Sequence, residues 1–451
     1  MSGELALVLH THMPYVEGFG TWPHGEEWLF EAMATSYLPL LDVLDAEAPV
    51  TVSLTPVLAD QLQSAEVAQR FPRFLRGVRR TTHRLDAEEA RARGDEAVAA
   101  ELERAAGAYE RALERYEAIG GDLVGALGAA WTSAATHAVL PLVATDAGVR
   151  LQVRTGIAAH RRRAGTWGGG LWLPECAHAS WLDPLLAGEG VHAVCVELTG
   201  VLDDPLRPLR SRAGVTLVPL DRAVIELVWS DAGYPSKPAY RDSHALTTHW
   251  HRPWANDGAV YDPGRALEQA RADAAHFVAR VGERLAGGGL CVCALDTELL
   301  GHWWHEGIAW LGFVLEEAAA RGVALAPLDD ALTRHEPAPL ERELPPTSWG
   351  VGRDLRTWDA PDVAELAWTA RRAELDVVAA GREVPLRAVR ELLALQSSDW
   401  AFHVTRRYAP SYGRERARAH ARGVADALAG ADEPALRDLA PWASPAPLLE
   451  P

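Results

Sequence analysis

The sequence predicts an α/β fold: a β/α barrel or a relative of one, with inserted helices and a C-terminal α-helical domain. Three observations predict it. Short continuous apolar runs recur as far as Leu325, as strands buried on both faces of a parallel sheet do. Helical stretches of varied length separate those runs. From Ala360 to Ala429 the composition is helical and no strand-like run interrupts it.

The first run, Leu5 to Leu9, ends in His10-Thr11-His12, so a buried strand delivers polar residues at its C-terminal end. Val50 to Leu54, Val191 to Val196, Val215 to Val218, Leu290 to Leu295 and Val323 to Leu325 repeat the pattern. Between Asp86 and Gly120 the chain is rich in Ala, Glu and Arg and has no Pro, which predicts one or two long helices inserted between strands, within an insertion near 60–120. A barrel over 1–335 is followed by helices over 336–440, broken by a turn at Pro410 to Gly413. The tail, 441–451, is too rich in Pro for a regular element.

Composition narrows the function. With 48% apolar and 24% charged residues the chain is globular, neither disordered nor collagen-like. A net charge of −18 argues against a nucleic-acid partner, whose phosphates demand basic patches. The run Leu5 to Leu9 has no basic stretch before it and is too short for a signal-peptide core or a membrane span, so a cytoplasmic location away from membranes is expected. Cys176, Cys195, Cys291 and Cys293 lie in apolar strand-like segments, the setting of buried thiols. Seventeen Trp against seven Phe calls for a demanding core or an apolar ligand with polar edges, and sugar rings are such a ligand.

Two stretches hold chemistry. Gly169 to Ala177 sets Glu175 directly after a short apolar strand, where barrel enzymes display catalytic groups; capping the next helix is the alternative role. The strand Cys291 to Leu295 ends in Asp296-Thr297-Glu298-Leu299-Leu300-Gly301-His302-Trp303-Trp304-His305-Glu306. These carboxylates and imidazoles can form an acid/base pair, cap a helix or bind a metal through His302 and His305, although no compact ligand motif is present. Asp296 is favoured because it closes the strand. Two strand-end carboxylates beside Trp suit retaining glycosidic chemistry, in which one is nucleophile and the other acid and then base.

Five stretches, Ala6 to Tyr15, Ala135 to Leu142, Trp172 to Ala177, Leu295 to Trp304 and Thr347 to Gly350, stand in an order that resembles glycoside hydrolase family 57 over nearly the whole chain, and within it the bacterial 1,4-α-glucan branching enzymes. Ala6 to Tyr15 is similar to the family's first motif, continued by Trp22-Pro23-His24-Gly25-Glu26-Glu27-Trp28. Ala135 to Leu142 resembles the second, Trp172 to Ala177 the third, Leu295 to Trp304 the fourth and Thr347 to Gly350 the fifth. The resemblance implies a seven-stranded β/α barrel, Glu175 as nucleophile, Asp296 as acid/base, and no metal or other cofactor for catalysis. It implies an α-glucan partner such as amylose or a glycogen-like polysaccharide. His10, His12 and His137 are expected to hydrogen-bond sugar hydroxyls, since a neutral imidazole donates and accepts at once. Trp22, Trp303, Trp349, Trp358 and Trp400 are expected to stack glucose rings.

The chain also departs from the family's pattern. Branching relatives carry a long mobile segment after a Gly-Tyr-Pro turn, whose tyrosine is tied to transfer over hydrolysis. Gly233-Tyr234-Pro235 is present, but the lid near 231–262 is shortened. Gly128-Ala129-Ala130 stands where the family usually has a Glu, and Val196-Glu197-Leu198-Thr199 where it has an Asp with a nearby His. The readings in order are a branching enzyme, a hydrolase or 4-α-glucanotransferase of the same family, and a glucan-binding protein that kept the cleft without the rate.

Overall fold

The structure, a computed structural model, describes residues 3–21, 24–44, 48–202, 204–431, 436 and 438–450. Its centre is a ring of seven parallel strands: β1 (Glu4–Thr11), β2 (Val50–Leu54), β3 (Thr132–Ser133), β4 (Gly170–Trp172), β5 (Ala193–Val196), β6 (Thr216–Pro219) and β7 (Leu290–Asp296). β1 pairs with both β2 and β7, and β3, β4, β5 and β6 pair in turn. A parallel bridge between Ser53 and Trp131 joins β2 to β3. Asp221 N–H donates to the Val292 carbonyl at 2.9 Å, joining the end of β6 to β7 and closing a (β/α)7 barrel. β1 is buried along nearly its whole length, which its unbroken apolar run requires of a strand covered on both faces. β3 has two residues and no apolar run of its own, so the sequence pattern passes over it.

Between β2 and β3 lie α1 (Arg80–Ala92) and α2 (Glu96–Ala118), packed as a hairpin over the left-handed Gly94. Asp95 caps α2 by accepting from Val98 N–H at 3.1 Å. α3 (Asp146–Ala164) precedes β4 and passes so close to β3 that a Cβ at Gly156 would stand 2.1 Å from the Ser133 carbonyl oxygen. Only glycine allows that approach. α4 (Pro263–Arg284) leads into β7, and α5 (Gly307–Arg321) follows it.

The C-terminal helices are α6 (Ala364–Ala379), α7 (Leu386–Leu395), α8 (Ser398–Thr405) and α9 (Pro410–Leu428). They share one apolar core with Tyr15, Val57 and Leu151 of the barrel side. The buried Glu374 of α6 accepts from Ala144 N–H at 2.9 Å, Thr145 N–H at 2.8 Å and Thr145 O–H at 2.6 Å, fastening α6 to the start of α3. The tail corrects an expectation. Ala446–Leu449 forms a 3₁₀ turn with Pro447 near its start, where a fixed φ and a missing N–H cost nothing. Leu448 is buried, and Glu450 pairs with Arg154 of α3 at 2.6 Å.

Candidate active site

The strand ends meet at the C-terminal face of the barrel, and strand register sets the first layer. His10 lies between Ser53 of β2 and Asp296 of β7. Beyond β3, His137 has φ 60°; beyond β4, Glu175 has φ 61°. Both are left-handed, a conformation that costs a non-glycine residue and collects at functional sites. The turn at Glu175 is held by Cys176 N–H donating to Leu173 O at 2.8 Å and by Trp349 N–H donating to Glu175 O at 3.0 Å.

Groups from beyond the barrel complete the layer. Trp349 Nε1–H donates to Glu175 Oε2 at 2.9 Å and Ser398 O–H to Glu175 Oε1 at 2.8 Å. These bonds favour the ionised carboxyl, but burial and the nearby Asp399 outweigh them, and the pKa is pushed up to about 6. Asp296 receives no side-chain hydrogen bond among the described residues. Burial and then the carboxyls of Glu298, Glu175 and Asp399 hold it well above the usual carboxylate range. Glu298 accepts from Tyr37 O–H at 2.6 Å and His12 N–H at 3.0 Å, and burial carries it up to about 7. Tyr37 closes the π-helical turn Met33–Tyr37, a local irregularity typical of functional sites.

The imidazoles form a charged member and a neutral pair. His12 Nε2 meets Asp399 Oδ2 at 2.9 Å, and against the effect of burial the pull of Asp399, Glu298 and Glu175 raises its pKa. Asp399 is correspondingly held below the usual range, its burial outweighed by His12. His10 and His137 are held well below 6.5 by burial and by the His12 charge. His137 stacks on His12 with ring centres 3.9 Å apart, and His10 on Trp172 at 4.5 Å.

The expected sugar contacts are partly revised. His10 bonds Ser53 and His137, His137 bonds His10 and Ser398, and His12 bonds Thr55 and Asp399. All six ring nitrogens therefore have protein partners, and a sugar hydroxyl reaches one only in exchange. Trp303 is 49% exposed, with Arg252 6.0 Å from its ring centre, and offers a free face. Trp349 is half-buried and touches Trp172 and the exposed Trp229 edge-on or tilted. Trp358 and Trp400 are 3% and 1% exposed, so the expectation that they stack sugars is corrected. Trp358 packs on Val139 and Ala177, and Trp400 on the helical core with its N–H on Ala394 O at 2.8 Å. Trp22 lies outside the described residues.

Tyr234 is likewise corrected. It is 3% exposed, with its hydroxyl 2.8 Å from His276 Nδ1 of α4 and its ring against Trp304 and Trp310. It serves as core there, because a large ring with one polar atom is best buried where that atom finds a partner. The short segment after it is strapped to the α1–α2 hairpin. Asp86 accepts from Thr247 O–H and faces His249 Nδ1 at 2.5 Å, and Thr248 O–H donates to Glu89 at 3.0 Å. His251 stacks on His83 with centres 3.5 Å apart, and Arg241 reaches Glu101 at 2.6 Å. From this strap Arg252 donates to His302 O at 2.8 Å, beside Trp303.

The metal alternative moves. His302 is buried beside Thr35 Oγ1 at 3.3 Å, while His305 is exposed against the edge of Tyr261. Among the described residues, the group whose ligating atoms come within 4.8 Å of one another is His12, His137 and Asp399. Its nitrogens and carboxylate are bonded to each other or to Ser397, Ser398, Thr55 and His10, so a cation would compete with every one of those bonds. At the two departures, Ala129 is half-buried against the barrel core, and the buried Glu197 accepts from Thr199 N–H at 2.8 Å. Sequence reasoning missed Ser398 and passed over Glu298. For Ser398 the adjacent Asp399 and Trp400 gave a weak signal; Glu298 was visible only as a second carboxylate near Asp296.

A seven-stranded β/α barrel that gathers two partly buried carboxyls of raised pKa at its strand ends, with an exposed indole on the loop after β7, has the site of a carbohydrate-active enzyme. The model of glycosyl hydrolase family 57 matches residues 130–341, and that of the 1,4-alpha-glucan branching enzyme C-terminal region matches 365–438. The chain is 31% identical to the 1,4-alpha-glucan branching enzyme TK1436 of Thermococcus kodakarensis, over 94% of this chain and 73% of that protein. It is 34% identical to a probable 1,4-alpha-glucan branching enzyme of Mycobacterium tuberculosis, over 97% of this chain and 94% of that one. The crystal structure of a GH57-type branching enzyme from Pyrococcus horikoshii superposes with a TM-score of 0.87 at 31% identity, covering 93% of this chain and 88% of the other. The chain belongs to glycosyl hydrolase family 57.

Proposed function

We propose that the protein is a retaining 1,4-α-glucan branching enzyme, with Glu175 as nucleophile and Asp296 as acid/base. The observation that carries the roles is the contrast between the two carboxyls. Glu175 receives two hydrogen bonds that favour its anion, and Asp296 has only burial and like charges, which favour its acid. Glu175 attacks the anomeric carbon of an α-1,4 bond while Asp296 gives its proton to the departing 4-oxygen. A glycosyl ester on Glu175 results. Asp296, now a carboxylate, takes the proton of an incoming 6-hydroxyl, whose oxygen displaces Glu175 and forms the α-1,6 bond. His12, held as a cation over the layer, offsets the charge of Glu175 before attack. Trp303 stacks the glucan near Asp296.

The branching relatives, similar across almost the whole chain, support the choice of acceptor. Four free, buried thiols agree with a reducing cytoplasm, where the product would be a glycogen-like store. Hydrolysis is a second reading, favoured by the burial of Tyr234 and by the loss of lid length. A shorter cover excludes water less well.

Incubation with amylose, with α-1,6 linkages and new reducing ends counted together, tests the proposal. Branch points without matching reducing ends, absent in Glu175→Ala, are expected. Reducing ends alone would establish hydrolysis, and neither product would favour a glucan-binding protein.

A further inference from the structure

Ser398 sits where the helical domain meets the barrel. It begins α8, its N–H donates to the His137 carbonyl at 3.1 Å, and its neighbour Ser397 bridges to Ala138. Its hydroxyl touches two groups at once, Glu175 Oε1 at 2.8 Å and His137 Nδ1 at 2.9 Å. Behind His137 the contacts continue through His10 Nε2 at 2.9 Å and from His10 Nδ1 to Ser53 Oγ at 3.4 Å.

One proton order satisfies this row when Glu175 is ionised. A carboxylate only accepts, so the single Ser398 proton points to Glu175. His137 must then donate through Nδ1 to the Ser398 oxygen, which leaves its Nε2 as acceptor if the ring is neutral. His10 donates to it through Nε2–H, and Ser53 donates to the freed His10 Nδ1. Neutrality of both rings is secured by their burial beside the His12 cation.

We propose that Ser398 is a positioning residue for the nucleophile: a hydroxyl from the helical domain, aligned by the Ser53–His10–His137 row, that aims Glu175 and holds it ionised for attack. The proposal rests on the reading of Glu175 as nucleophile. The row is also reversible. If Glu175 takes up a proton, that proton is shared with Ser398 and every bond can turn over, so the order of the row reports the state of the carboxyl.

The groups facing Glu175 are Trp349, Ser398, His137, His12, Asp399 and Asp296. In Ser398→Ala the other five are kept and one stabiliser of the anion is lost. The acid limb of the kcat/KM profile is expected to move to higher pH, by about one unit, and kcat to fall about ten- to hundredfold with KM little changed. Ser398→Thr, which keeps the hydroxyl, is expected to restore the limb and most of the rate. Ser398 borders a cavity also lined by Leu395, Trp358 and Ala401. An unmoved acid limb in a folded Ser398→Ala protein would overturn the proposal. So would a folded Ser398→Thr protein as slow as the alanine variant, with Tm recorded for both. Azide rescue of Glu175→Gly on an α-maltosyl fluoride separates the two readings. A β-glycosyl azide supports Glu175 as nucleophile whatever Ser398 does, and its absence removes the ground on which Ser398 was assigned.

Discussion

Trp349 holds Glu175 twice, its main-chain N–H on the Glu175 carbonyl at 3.0 Å and its indole N–H on Oε2 at 2.9 Å. The first bond fixes the left-handed turn and the second aims the carboxylate, so one residue sets both backbone and side chain. Trp349→Phe keeps the first and deletes the second. A loss of about 10- to 100-fold in kcat is expected, the worth of a hydrogen bond to a charged acceptor, with Tm little altered. A rate within twofold of the wild type in an amylose assay would show that the indole N–H is idle.

The two carboxyls predict a bell-shaped pH profile. As the proposed nucleophile Glu175 must be ionised, and its pKa is raised to about 6, so kcat/KM should fall as pH drops through that value. As the proposed acid Asp296 must be protonated, and its pKa is also raised, so the alkaline limb should lie far above the ordinary range of a carboxyl. An acid limb near pH 4 would contradict the assignment.

The same shift has a cost in stability. A carboxyl whose pKa is higher folded than unfolded adds stability below its ordinary value of 4.5, and that stability is lost as pH rises through about 6. Glu175→Gln should therefore match the wild type in Tm at pH 4 and exceed it at pH 8. The gain is about 2 kcal/mol, the energy of a shift of roughly 1.5 units. Equal Tm values at pH 8 would place the carboxyl in a milder environment than its burial implies.

The strap over 242–260 should be rigid because Asp86 gathers Thr247 and His249 onto α1. Asp86→Asn weakens that gathering by roughly 1–3 kcal/mol. Chymotryptic cleavage after the exposed Trp250 should speed up at least tenfold, and reducing ends should rise relative to branches as water gains access. Cleavage at the wild-type rate would mean that the stacked His83 and His251 suffice.

Trp303→Ala tests the exposed face. KM for amylose should rise roughly three- to tenfold, the scale of a stacking contact, with kcat changed less. An unaltered KM would move the glucan path elsewhere, Trp229 being the exposed ring that packs on Trp349.

Much of the barrel was legible because a strand covered on both faces carries an apolar run, as β1 does over Leu5 to Leu9 and β7 over Leu290 to Leu295. β3 was not, since two residues leave no pattern and its place is set by Gly156 and a bridge to β2. Glu175 and Asp296 stand at strand ends, a position that sequence reveals. Ser398 was hidden, because its importance lies in a contact across 223 residues of chain. Trp358, Trp400 and Tyr234 were misread for a related reason: residue type says that a ring can stack, and only packing decides whether its face is free.

Trp349, Ser398 and Asp399 all follow the last strand of the barrel, yet they hold Glu175, the proposed nucleophile, and set the charge beside it. During synthesis the ribosome finishes every barrel strand before it makes any of these three. A nascent barrel thus carries its carboxyls unaimed. Reactivity arrives late, with the final helices, and the order of translation becomes a safety catch on the enzyme.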